Sequence, residues 1–159
     1  MISLLLSAAL LGGVGSSQRM GEVSPFAVAS LQAGYRAVSG EVYWDNAAKV
    51  ENHSGWLLRG AADWQTGPLT LGAAVSHRKT SGWSKTVGWA RAGVRSGPLW
   101  LLASIAPDSP NMEARVEARL RLRHRWAVVE PRAWVGWHTT AEELGGYAWG
   151  VSTLIGWAH

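Results

Sequence analysis

The sequence has no cysteine, one phenylalanine, three lysines and six prolines in 159 residues. Without cysteine the chain has neither disulfide staples nor thiolate metal ligands, so no redox compartment is readable from it. Its five histidines are scattered with no ligand spacing, and no metal or cofactor is expected. Apart from Gly12-Gly13 and Gly145-Gly146 the glycines fall singly, and none forms a Gly-rich loop that could cradle phosphate. Charge is scarce too: 16% of residues are Asp, Glu, Lys or Arg, against the usual quarter. Disordered chains are charge-rich and poor in aromatics, so disorder is excluded. Beyond residue 17 no apolar run is long enough for a spanning helix.

What is present is lopsided. Eleven tryptophans stand beside the one phenylalanine, and twelve arginines beside the three lysines. Tryptophan has an apolar body and one N–H donor, which suits a boundary between wet and dry better than a deep core. A net charge of +4 and a pI near 10 invite a nucleic-acid reading. The basic residues alternate with apolar ones and form no aromatic-interleaved RNA motif, so no nucleic-acid partner is expected.

Residues 1–17, MISLLLSAALLGGVGSS, differ from the rest. An apolar stretch from Ile2 to Leu11 precedes small residues, with Gly13 and Gly15 as cleavage-zone candidates, although no Lys or Arg comes before it. This is the shape of a secretory signal peptide, and the alternatives are a buried N-terminal helix or a start that lies downstream of the true one. The expected plan is a signal peptide over 1–17, an N-terminal segment over 18–24 and one domain over 25–158.

That domain alternates. Met112, Ala114, Val116, Ala118, Leu120 and Leu122 fall on one face. Glu113, Arg115, Glu117, Arg119, Arg121 and Arg123 fall on the other. Six apolar–charged pairs at period two indicate a strand. The same parity runs through 56–65, 69–78, 85–95, 99–106, 126–137 and 147–158. Residues 25–45 read as one long strand whose parity switches at Ser39-Gly40, as a β-bulge would make it. Pro131, in mid-strand on the apolar face, predicts a second local bulge. Eight strands result. Thr66-Gly67-Pro68, Ser96-Gly97-Pro98 and His124-Arg125 predict tight turns at one end, with longer links (46–54, 79–82, 107–111, 139–145) at the other. An even strand number lets the last strand close on the first.

A soluble calyx of the lipocalin kind would turn the apolar face inward, whereas a membrane barrel turns it outward. The apolar faces here carry no Asp, Glu, Lys or Arg, and their aromatics lie near strand ends. Trp44, Trp56, Trp64, Trp137, Tyr147, Trp149 and Trp157 are the expected membrane-interface aromatics. The opposite face mixes arginine with glycine and alanine, which suits a narrow, filled lumen. Its expected polar network comprises Arg36, Arg59, Asp63, Arg78, Arg91, Arg95, Glu113, Arg115, Glu117, Arg119, Arg121, Glu130 and Arg132. Trp89, Trp100, Trp126 and Trp134 break the girdle pattern and are expected to face inward. The pattern over 25–158 resembles the eight-stranded outer-membrane barrels of the OmpA and OmpX type, and YAWGVSTLIGWAH resembles their closing strand. The resemblance implies an all-β, up-and-down antiparallel transmembrane barrel in a Gram-negative-type outer membrane.

Lipid is then the main partner, with other envelope or membrane-complex proteins as further partners. The links are short for adhesins, which points to a structural or interaction role. A lipocalin-like carrier of a small apolar ligand is the alternative. A surplus of lumen arginine would suit a narrow anion channel. A lipid-modifying enzyme would need a nucleophile, base and acid together. The pairs available are His53 with Ser54, Ser76 with His77, and His138 with Glu142 or Glu143, none with a supporting motif, so no catalytic residue is expected.

Overall fold

The computed structural model describes residues 6–19, 22–46, 55–80, 82, 84–108, 111–138 and 146–159. Among the described residues eleven strands follow one another: β1 (Leu6–Arg19), β2 (Glu22–Tyr35), β3 (Val38–Asp45), β4 (Trp56–Thr66), β5 (Leu69–Lys79), β6 (Ser84–Ser96), β7 (Leu99–Asp108), β8 (Asn111–Leu120), β9 (Leu122–His124), β10 (Ala127–His138) and β11 (Gly146–Ala158). All the pairings are antiparallel between neighbours, and β11 pairs with β10 on one side and β1 on the other. The sheet is a closed barrel. β8 and β9 are two segments of one stave, so ten staves close the ring rather than the expected eight.

Two departures supply the extra staves. First, the segment read as a signal peptide lies largely in β1, which pairs with β2 from Leu6↔Tyr35 to Arg19↔Glu22 and with β11 from Ala9↔Ala158 to Arg19↔Ala148. Its inward Ala9, Leu11, Gly13, Gly15 and Ser17 are no more polar than its outward Ala8, Leu10, Gly12 and Val14. A strand with the same chemistry on both faces has no period-two signal, and an apolar run without one looks like a leader.

Second, residues 25–45 are a hairpin and not one bulged strand. β2 and β3 pair from Tyr35↔Val38 to Val28↔Asp45 around Arg36-Ala37. The parity switch is made by this turn, and Ser39-Gly40, where a bulge was expected, lies inside β3 paired with Gly34 and Ala33. Arg36 has φ 53, and Arg125 has φ 54 before Trp126. The corresponding residues of the sister turns are Gly67 and Gly97, at φ 57 and 55, each followed by proline. A positive φ at the first central residue fits the twist of a two-residue hairpin, and glycine adopts it without strain. Arginine there costs about 1 kcal/mol and carries no turn signature, which is why the sequence pattern hid this hairpin.

Pro131 lies outward in β10 opposite the gap between β8 and β9. Pairing resumes with two residues skipped on each side, from Arg132↔Arg119 to Val129↔Leu122, so no residue is inserted and the expected bulge is absent. Proline has no N–H to give to the ladder, and the ladder simply lapses beside it.

The parity within strands is inside-out. Leu10, Val14, Val75, Val116, Ile155 and Trp157 all expose more than half their surface, while Glu41, Asp63, Arg91, Glu117, Arg119 and Arg132 are all buried. Among the described residues Lys79, at the end of β5, is the only Asp, Glu, Lys or Arg at an outward strand position. Apart from the three-residue β9, strands of 8–14 residues at about 3.3 Å each, tilted about 40°, span roughly 20–35 Å.

Candidate functional site: a salt-bridged lumen

Within so narrow a ring, inward side chains from opposite staves meet, and those meetings form the candidate site. Glu117 in β8 sits at its centre. It takes Arg119 Nε at 2.7 Å, Arg115 Nη2 at 3.3 Å and, from β4, Arg59 Nη2 at 3.4 Å. Glu41 in β3 takes Arg119 Nη1 at 2.8 Å, with Arg132 of β10 on its other oxygen. Ser30 donates to that same oxygen at 2.8 Å. Glu130 takes Arg132 Nε at 2.7 Å and the amide of Gln32 at 3.3 Å. β3 and β8 stand five staves apart in a ring of ten, so the Glu41–Arg119 pair bridges diametrically opposite walls.

Side pairs extend the ladder toward both ends. Arg91 reaches Asp63 at 3.2 Å, Lys85 reaches Glu113 at 3.1 Å and Arg121 donates to Gln32 at 2.7 Å. Buried charge is retained in a protein where each ion is paired and hydrogen-bonded. These carboxylates each face at least one cation, and the three central ones face two or more.

Three of the four tryptophans expected to face inward do so, and two of them have a specific task. The Arg115 guanidinium lies 4.4 Å over Trp134, and that of Arg119 lies 5.4 Å over Trp100. Tyr43 is flanked by Arg59 at 5.0 Å and Arg132 at 5.4 Å. Aromatic faces cover planar cations whose N–H edges are engaged elsewhere. Trp89 instead donates to Ser76 Oγ at 2.8 Å. The fourth, Trp126, is a correction: it is 60% exposed and stacks on Trp157 at 6.3 Å, because it belongs to a turn and not to the strand.

Of the expected lumen residues, Arg36 stands on the β2–β3 turn over the Tyr35 ring at 5.2 Å, outside the lumen, because its strand ends one residue earlier. Arg95 is exposed at the tight-turn mouth, bonded to the Gly97 carbonyl and Gln65. Arg78 is half-buried inside β5. Of the expected interface aromatics, Trp44, Trp56, Trp137 and Trp149 face outward near the loop end, and Trp64 and Trp157 near the turn end. The Tyr147 side chain lies outside the described residues. Tyr35 and Trp126 join the turn-end group, and neither was expected there.

The other wall of the lumen is different in kind. β11, β1 and β2 contribute no charged inward side chain among those described. Ala9, Leu11, Phe26, Val28, Leu154 and Ala158 from these strands pack with Tyr43, Leu57 and Val128. Gly150 completes the fit. A Cβ on it would sit 2.7 Å from the Trp134 indole, so only glycine leaves room for the ring that covers Arg115.

The barrel offers no catalytic constellation among the described residues. Ser76 points inward, while His77 points outward to bond Thr86 at 2.8 Å and to pack on Trp56. Neighbours in a strand face opposite sides of the sheet, so this pair cannot cooperate. The His53–Ser54 pair and the His138 pairing with Glu142 or Glu143 lie outside the described residues. No group of three potential metal ligands occurs among the described residues either.

No family model and no curated protein sequence matches the chain. Solved structures do resemble it. Neisserial surface protein A is 10% identical, with 96% of each chain covered and a TM-score of 0.40. The N-terminal β-barrel domain of Pseudomonas aeruginosa OprF is 13% identical, with 96% of this chain and 97% of that one covered and a TM-score of 0.40. The KdgM porin is 8% identical, with 89% and 97% covered and a TM-score of 0.45. The likeness is to small outer-membrane barrels and is slight; the functional reading rests on this chain's own residues.

Proposed function

We propose that this protein is an integral outer-membrane β-barrel whose salt-bridged lumen suits a structural or interaction role in the envelope, as a subunit of a larger membrane complex. The observation that carries the reading is the inversion of polarity in a closed sheet. Its outward strand faces are apolar and bounded by aromatics at both ends, and its buried interior holds the charge. Water penalises that arrangement and a bilayer rewards it, because the closed ring satisfies the backbone without solvent. A soluble lipocalin-like carrier would need the opposite assignment of faces.

The test is electrophoretic mobility in detergent with and without boiling. A closed membrane barrel migrates differently in the two lanes. A chain that stays soluble and monomeric without detergent after urea removal would overturn the reading. The ladder across the lumen argues against an anion channel, since Glu41 and Arg119 meet directly from opposite walls. Planar-bilayer recording is expected to show no stable anion-selective conductance.

A further inference from the structure

We propose that the tight-turn rim of the barrel is a basic collar that binds the anionic headgroups of phospholipids in the adjoining leaflet. The collar consists of Arg36, Arg95, Arg121, Arg123 and Arg125. Arg36 and Arg125 sit on turns; Arg95 is the penultimate residue of β6, Arg123 lies in β9, and Arg121, held partly inward by Gln32, lies in the break between β8 and β9 at the same mouth. All but Arg121 are exposed. Every Asp and Glu whose side chain is described is buried, so this rim presents cationic side chains with no exposed acidic side chain among the described residues.

Two independent observations indicate a use for that charge. The first is conformational. Four two-residue turns close this end with a positive φ at their first residue: two use glycine there, and two use arginine. Strain held at a chosen side chain points to a function for the side chain, since glycine would make the same turn without it. The second is depth. Tyr35, Trp64, Trp126 and Trp157 face outward at this end and mark the membrane interface. Arg36 follows Tyr35 directly and lies over its ring, and Arg125 precedes Trp126 directly. A guanidinium one residue beyond an interfacial aromatic lies at the level of lipid phosphates, and its planar fork bonds two phosphate oxygens at once.

The occupant is a phospholipid because the aromatics and the arginines form one continuous surface, with acyl chains beside the first and phosphate beside the second. The inference rests on the membrane reading above, and the experiment separates the two. Barrel folded into phosphatidylcholine vesicles with a minor share of phosphatidylglycerol is probed by tryptophan quenching with brominated forms of each lipid. Phosphatidylglycerol is expected to quench with about a fivefold preference at low salt, falling toward none at high salt. The Arg36→Gln/Arg125→Gln double variant is expected to lose most of that preference while keeping its heat-modifiable mobility. Equal quenching by both lipids in an inserted, heat-modifiable barrel would overturn the collar alone. So would an unchanged preference in the double variant, or its abolition by a soluble acidic polypeptide, which would assign the rim to a protein partner. Failure to insert into either vesicle would overturn the membrane reading and the collar with it.

Discussion

The two walls of the lumen are built on opposite plans. Along β3, β4, β6, β8 and β10, long charged side chains reach across the barrel and hold one another. Along β11, β1 and β2, the described inward side chains are uncharged and mostly small or apolar, with Ser30 and Gln32 of β2 reaching the ladder as neutral partners. The two plans depend on each other. An eight- to ten-stave barrel has little interior volume, so arginines can cross it only if the wall behind the aromatics that cover them is thin. Gly150 beneath Trp134 shows this dependence at one position.

Four substitutions would break or sharpen that contrast, each followed as the urea midpoint of the detergent-folded barrel by tryptophan fluorescence. Glu117→Ala should have the largest effect. It strips the shared carboxylate from Arg59, Arg115 and Arg119, and an unpaired buried charge costs about 3–5 kcal/mol. A loss below about 1 kcal/mol would mean that solvent already screens the ladder.

Leu154→Ala tests the other wall by pure volume. Leu154 is fully buried, and the cavity should cost about 2–4 kcal/mol. Unlike the first variant, this one should respond little to added salt, because no charge is involved.

Gly150→Val asks whether the walls are coupled. It should displace the Trp134 indole from its place over Arg115 and cost about 1–3 kcal/mol. Combining it with Trp134→Ala should then show a clearly non-additive loss, and strict additivity would uncouple the two walls.

Arg125→Gly carries the smallest effect and the opposite sign. Removing a side chain held at φ 54 should raise stability by up to about 1 kcal/mol. An unaltered or lower midpoint would place the Arg125 side chain among the stabilising contacts of the turn.

The contrast between the walls also explains what was legible in the sequence. The charged wall could be read residue by residue, because Met112–Arg123 opposes Met, Ala, Val and Leu to Glu and Arg at every step, and the structure keeps that parity. The small wall could not. Leu6–Arg19 carries the same apolar and small residues on both faces, so its strand resembles a leader. Arg36-Ala37 lacks the glycine or asparagine that usually announces a hairpin, and Trp126 was misplaced because its turn begins at an arginine in the same way.

The sequence by itself determined that this chain is all-β, that its charge and its apolar surface lie on opposite sides of each alternating strand, and that its interface aromatics sit near strand ends. Those are properties of a two-residue period, which is local. Only the tertiary structure decided the number of staves, the partner of each carboxylate and the placing of the inward tryptophans. Closure brings Glu41 to Arg119 across the barrel from β3 and β8, five staves apart, and no local pattern encodes a contact across a diameter.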